Sequence, residues 1–146
     1  MLPLINIRKA SIDDFKVLSE IWLEASLIAH HFIPEIYWKA HKLKMQNIYL
    51  PMSEVYLAEY HQQISGFIAL LDHKLAAIFV SPSHQGKGVG TALVQYAQTI
   101  RTELELNVYQ ENPKSVQFYK TLGFEVVEEG IDLETNLKEF LMRWIK

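Results

Sequence analysis

The spacing of hydrophobic positions changes several times along this chain, and each change marks an element. LINIRKA (residues 4–10) alternates apolar and polar, the period of a half-buried strand. Ser11 stands three residues before Asp14, a start of the capping-box kind. Ile12, Phe15, Leu18, Trp22, Ala25 and Ala29 then recur at intervals of three and four, which predicts an amphipathic helix. HHFIP interrupts it, and Pro34 can open a second helix running to about Tyr49. EVYLAEY (54–60) and ISGFIALL (64–71) read as a hairpin around HQQ, and KLAAIFV (74–80) as a third strand stopping at Ser81-Pro82. Val89, Leu93, Tyr96 and Ile100 mark one face of a third helix. LELNVY (104–109) alternates strictly. Asn112-Pro113 supplies a cap and a proline at a first helical position, Val116, Tyr119 and Leu122 share a face behind it, and Gly123 ends that helix. FEVVEE (124–129) and EFLMRWI (139–145) are the last two strands.

The order is β-α-α-β-β-β-α-β-α-β-β. It predicts a mixed α/β architecture: one twisted sheet of about seven strands with helices on both faces. Strands 74–80 and 104–109 are joined through a helix, so they are expected to run parallel. No repeat or linker interrupts residues 1–146, and the apolar share of 49% suffices for one core, so a single domain is expected. A net charge of −3 offers no basic footprint for nucleic acid. The absence of cysteine excludes disulfides, thiolate metal sites and a cysteine nucleophile, and it fits a reducing compartment. MLPLINIRKASIDDF does not read as a signal peptide, and no window approaches the ~18–20 apolar residues that span a bilayer. The expectation is a cytoplasmic monomer or homodimer without nucleic-acid or membrane partners.

The chemistry concentrates in SPSHQGKGVGTALV (81–94), where three of the six glycines fall within five residues at a helix start. The first turn of a helix leaves N–H groups unpaired and carries about half a positive charge. Glycines let those groups approach an anion without an intervening Cβ. The loop therefore predicts a phosphate, a diphosphate or a nucleotide. A dinucleotide fingerprint would need glycine where Thr91 stands, and a P-loop would need a Gly-Lys-Ser/Thr ending that is missing. His30 and His31 are adjacent and the other histidines lack an i,i+4 zinc spacing, so no metal is expected. Nothing like a nucleophile elbow surrounds Ser81, Ser83 and His84.

Gln85, Gly88 and Gly90 resemble the acetyl-coenzyme A motif Gln/Arg-x-x-Gly-x-Gly/Ala of the GCN5-related N-acetyltransferases (GNATs). NPKSVQFYKTLGF (112–124) resembles a second GNAT signature through Asn112, Ser115, Phe118, Tyr119, Gly123 and Phe124. The element order is also the GNAT order, and IWLEAS…HHFIPEIYW is most similar to the small bacterial YiaC/YjaB-like acetyltransferases, a group linked to protein-lysine acetylation. The resemblance implies that Gln85, Gly86, Lys87, Gly88, Val89, Gly90 and Thr91 hold the coenzyme A diphosphate. It implies that the pantetheine arm pairs with the backbone near Ile78, Phe79 and Val80 in a gap between strands 74–80 and 104–109. Asn112 and Ser115 would help to hold that arm.

Acetyl transfer needs a neutral amine, donors for the oxyanion and a proton for the leaving thiolate. A free lysine is neutral about once in a few thousand molecules at pH 7. The backbone N–H of Val80 is the expected oxyanion donor. The resemblance assigns the proton donor to Tyr119, whose phenol stays protonated at pH 7. Glu54, Glu59 and His30 are candidate bases, His30 because an ordinary pKa of ~6.5 suits proton removal; a water chain without a dedicated base is the alternative. His30, Phe32 and Trp38, with Tyr37, are candidates to line the acceptor pocket, or to pack two helices together. Lys87 and His84 can add positive charge near the diphosphate. The expected activity is transfer of acetyl from acetyl-coenzyme A to a primary amine, a protein lysine or peptide N-terminus first and a small amine (amino acid, polyamine, antibiotic) second. A module that binds acetyl-coenzyme A without turnover and a nicotinamide-binding enzyme are the remaining alternatives.

Overall fold

The computed structural model describes residues 4–146, and the Met-Leu-Pro that opens the N-terminal reading lies outside them. The first alternation forms β1 (Ile5–Lys9). A short 3₁₀ turn, Ile12–Asp14, follows, held where Asp14 Oδ2 accepts from the Ser11 N–H at 2.8 Å. Helix α1 (Phe15–Ala29) begins only after it. The 3₁₀ turn sets Ile12 out of phase with the helix, which leaves it 78% exposed instead of on the buried face that the periodicity predicts. Helix α2 spans Glu35–Lys44 and passes into a π-helical stretch, Met45–Tyr49, before the single turn α3 (Leu50–Met52). Pro51 has no N–H to give the preceding turn, and the Leu50 N–H reaches back to the Met45 carbonyl, an i→i+5 bond that widens the helix.

The hairpin is β2 (Glu54–Tyr60) and β3 (Gln63–Leu71), turned by His61 and Gln62 at φ of +50° and +69°. Then come β4 (Lys74–Val80), α4 (Val89–Ile100), β5 (Glu103–Tyr109), α5 (Pro113–Thr121), β6 (Glu125–Asp132) and β7 (Leu137–Ile145). All seven strands join one sheet in the order β1-β2-β3-β4-β5-β7-β6, antiparallel except where β4 meets β5. That parallel contact is the βαβ crossover through α4. In β4, Leu75 pairs with Leu70 and Ala77 with Ala69, so Ala76 is an unpaired, bulged residue.

Each face of the sheet carries a core. On one, α4 and α5 bury Leu93, Ala97, Val116 and Tyr119 against Ile68, Leu70, Leu106 and Met142. On the other, α1 and α2 bury Leu18, Trp22 and Trp38 against Leu57, Phe67 and Ala69. Strand β3 alternates between the two cores, so its apolar run is continuous rather than periodic. Each large side chain so buried contributes about 1.5–3 kcal/mol. Among the described residues no helix is long and apolar enough to cross a membrane.

Candidate active site

The two parallel strands touch once and then part. Lys74 pairs with Glu105, and beyond it β4 and β5 share no ladder. β4 stays paired with β3, so only the edge facing β5 is open. The N–H of Ser81 bonds to Ser65 of β3 at 2.8 Å. Because successive residues of a strand point their backbone groups to opposite edges, the N–H of Val80 faces the gap. The Val80 carbonyl accepts from the Gln85 amide at 3.3 Å, which ties the glycine loop to the end of β4. Ile78, Phe79 and Val80 line the resulting cleft, about 1430 Å³ in volume.

Residues 85–86 and 88–91 form the floor at one end. Gly86 and Gly88 sit at φ of +78° and +85°, a region that L side chains rarely adopt. A Cβ on Gly86 would meet nothing within 4 Å, so the loop leaves open space rather than packing against itself. The first helical bond of α4 runs from Ala92 to the Gly88 carbonyl at 3.0 Å, which leaves the earlier N–H groups of this first turn without helical partners. Gln85, Gly86, Gly88, Val89, Gly90 and Thr91 all border the cleft, and so does His84. Lys87 does not: its Nζ lies 5.6 Å above the ring of Tyr60. An open strand edge ending at uncovered helix-start N–H groups suits an extended chain of amides with an anionic group at its end.

Helix α5 closes the adjoining wall. Asn112 Oδ1 accepts from the Ser115 N–H at 3.4 Å and caps the helix, and both residues border the cleft. Tyr119 packs beside Phe118 and Phe124 at ring distances of 5.2 and 5.7 Å. Its hydroxyl has no hydrogen-bond partner among the described residues, and the residue borders the cleft. Burial pushes its phenol well above the ordinary tyrosine value.

The opposite wall is made of side chains. His30 and Trp38 border the cleft, with ring centroids 5.2 Å apart. His30 also packs against Tyr109 and Phe79, at 5.6 and 6.5 Å. Phe32 stands behind His30 and Tyr109 rather than on the cleft wall. Burial lowers the pKa of His30 to about 4, and its Nδ1 is buried without a partner. This corrects the expectation of an ordinary pKa near 6.5: no carboxylate orients the ring, and low polarity disfavours its charged form. The candidate bases Glu54 and Glu59 do not border the cleft. Glu54 accepts from Tyr56 at 2.5 Å and from Arg101 at 3.0 Å, and these bonds hold its pKa below the usual carboxylate value. Glu59 lies 3.5 Å from Arg8.

Sequence reasoning missed the four carboxylates that do border the cleft, Glu111 beside Asn112 and three from β6, β7 and the turn between them. Asp132 accepts from the Tyr109 hydroxyl at 2.5 Å. Glu134 accepts from Tyr37 at 3.0 Å and lies 3.1 Å from His41, joining the β6–β7 turn to α2. Glu139, opposite Tyr109 on β7, has no ion-pair or hydrogen-bond partner for its carboxylate among the described residues. Burial, with Asp132 nearby, raises its pKa. In sequence these last three are charges on a late hairpin, spaced like any solvated face. Only the pairing of β7 with β5 brings them to the cleft.

Residues 51–126 match the family described as Acetyltransferase (GNAT) domain. Peptidyl-lysine N-acetyltransferase YiaC of Escherichia coli is 33% identical over 139 residues, 94% of this chain and 95% of its own. The solution structure of apo YjaB from Escherichia coli superposes with a TM-score of 0.85 at 28% identity, over 97% of this chain and 98% of that one. The PaiA N-acetyltransferase of Thermoplasma acidophilum, solved in complex with coenzyme A, shares the fold at a TM-score of 0.81 and 23% identity, over 97% of this chain and 99% of its own.

Proposed function

The chain belongs to the GNAT acetyltransferase family, and from that premise we propose that the amine it acetylates is the ε-amine of a lysine in a protein chain. The reaction moves the acetyl group of acetyl-coenzyme A to an amine. What carries the lysine reading is the wall opposite the glycine loop, where the His30, Trp38 and Tyr109 rings stand beside Asp132, Glu134 and Glu139. Aromatic faces accommodate an aliphatic stem and attract an ammonium, and carboxylates attract it further. YiaC, named for this activity, is alike over nearly the whole chain and supports the reading.

In this scheme the N–H groups at the start of α4 hold the diphosphate, and the open edge of β4 pairs with the pantetheine amides. The cleft carboxylates lead the ammonium inward, and Glu139 takes its proton. A carboxylate with a raised pKa is a better acceptor of that proton than an ordinary one. The amine nitrogen then bonds to the thioester carbon, and the Val80 N–H meets the negative charge on oxygen. As the carbon–sulfur bond breaks, the Tyr119 hydroxyl gives its proton to the sulfur, and the second proton that the nitrogen sheds on becoming an amide returns through solvent to the Tyr119 oxygen. A polyamine is the second reading, because the same three carboxylates suit a small polycation.

The test is to offer acetyl-coenzyme A with N-terminally blocked lysine peptides, unblocked lysine-free peptides and spermidine, and to locate the acetyl group by mass spectrometry. Modification of blocked lysine peptides at the highest kcat/KM supports the reading. Turnover confined to spermidine, or to free N-termini, removes it.

A further inference from the structure

Beside the cleft lies a second, apolar pocket of about 230 Å³, between the end of α2 and the middle of β4. It exists for two local reasons. Ala69, Ala76 and Ala77 place methyl groups where neighbouring strand positions carry leucine, isoleucine or phenylalanine, and the bulge at Ala76 lifts the strand there. Above them the π-helical stretch turns Met45 and Tyr49 over the gap instead of closing it. The pocket opens to solvent past Met52, 67% exposed, and Leu71, 40% exposed. Tyr49, Ala76 and Ala77 belong to both the pocket and the cleft, so the two form one continuous surface.

We propose that this pocket is a specificity subsite that receives one apolar side chain of the acceptor polypeptide. The inference rests on the lysine reading above and deepens it. A cavity of about 150 Å³ lined by apolar groups already holds a benzene ring, so this one has room for a leucine, methionine or phenylalanine side chain. Its place on β4 sets the spacing. Ala76 and Ala77 stand three to four residues before Val80, about 10–13 Å along a strand. An extended peptide covers about 3.4 Å per residue, so the apolar side chain belongs three or four residues from the acetylated lysine. A polyamine long enough to reach both places would bring an ammonium into apolar lining, so the subsite serves a polypeptide.

The experiment uses blocked peptides with a single lysine in a serine-alanine background, with one leucine moved through the four positions on either side. On the wild-type enzyme, leucine three or four residues away on one side lowers KM about tenfold relative to the leucine-free peptide, the modest end of what burying such a side chain supplies. In Met52→Glu and Leu71→Glu that advantage disappears while kcat/KM on the leucine-free peptide stays within about twofold. Peptides acetylated equally well wherever the leucine stands overturn the subsite and leave the lysine reading intact. A leucine advantage that both variants retain overturns it as well. Failure of every peptide beside turnover of spermidine overturns the lysine reading and the subsite with it. Sedimentation supplies the last outcome: a wild-type dimer that Met52→Glu converts to monomer assigns the pocket to a second copy of the chain and overturns the proposal.

Discussion

The two walls of the cleft are built from different material. One presents backbone: the open edge of β4 and the first turn of α4, with side chains small or turned away, as Lys87 is turned toward Tyr60. The other presents rings and carboxylates from the cap of α1, from α2, from β5, and from β6, β7 and the turn between them. In the proposed scheme the backbone wall faces acetyl-coenzyme A, which never changes, and the side-chain wall faces the acceptor, which differs from enzyme to enzyme. Backbone groups are present whatever residue occupies a position, so a backbone wall survives substitution at most of its positions. A wall of side chains is rewritten by single substitutions. The split predicts that changes on the first wall act through the reaction centre or through cofactor affinity, and changes on the second through the acceptor.

Tyr119 tests the split hardest, because α5, which adjoins the backbone wall, puts there the one side chain given a chemical role on the cofactor side. Tyr119→Phe keeps the ring against Phe118 and Phe124 and removes only the hydroxyl. The expected result is a fall in kcat of about 10²–10³-fold, the range for a lost general acid, with acetyl-coenzyme A affinity unchanged by calorimetry. A kcat within twofold of wild type would take Tyr119 out of the chemistry.

On the opposite wall Glu139→Gln should lower kcat by about 10²-fold, the lower end for a lost general base, without altering the acetyl-coenzyme A dissociation constant. Its pKa lies above the ordinary glutamate value because of burial and then Asp132. The wild-type rate should therefore fall, as pH falls, at a higher pH than an ordinary carboxylate would give, and the variant should lose that limb. An unchanged profile in the variant would return the proton to a water chain.

Gly88→Ala is milder and belongs wholly to the first wall. The added methyl has room, since the nearest atom is Ile5 Cδ1 at 4.0 Å, but φ of +85° costs an alanine about 1–2 kcal/mol. A loop that relaxes from that conformation misplaces its N–H groups. Acetyl-coenzyme A affinity should drop about tenfold while the acceptor KM stays constant. A change in the acceptor KM instead would break the division between the walls.

These two walls also differ in how far they could be read in advance. Residues 85–91 and 112–119 are contiguous segments at helix starts, and short-range geometry dictates both the glycines and the caps, so the pattern of letters carries the shape. The element order, the parallel pairing of β4 with β5 and the alternation of Leu104, Leu106 and Val108 were legible for the same reason. Ile12 was misplaced because a 3₁₀ turn has a different period from the helix it precedes. Asp132, Glu134 and Glu139 were not legible at all. What makes them cleft residues is a pairing between strands some 30 positions apart, together with a turn that reaches α2, and no local spacing encodes either.

His30 gives the smallest expected signal and the finest test of the second wall. Its imidazole is held to a pKa of about 4 by burial among Trp38, Phe79 and Tyr109. A lowered folded-state pKa means that the unfolded chain binds the proton more readily, from its ordinary ~6.5 downward. The stability tied to a neutral His30 is thus fully present above pH 6.5 and is lost progressively as pH falls toward 4. Thermal unfolding of the wild type should weaken through that window more than unfolding of His30→Phe, which has no proton to bind. The same neutrality means that His30 contributes no inflection near pH 6.5 to the rate. A rate limb near 6.5 that His30→Phe abolishes would show the ring exchanging protons during turnover, and the second wall would then hold two proton acceptors rather than one.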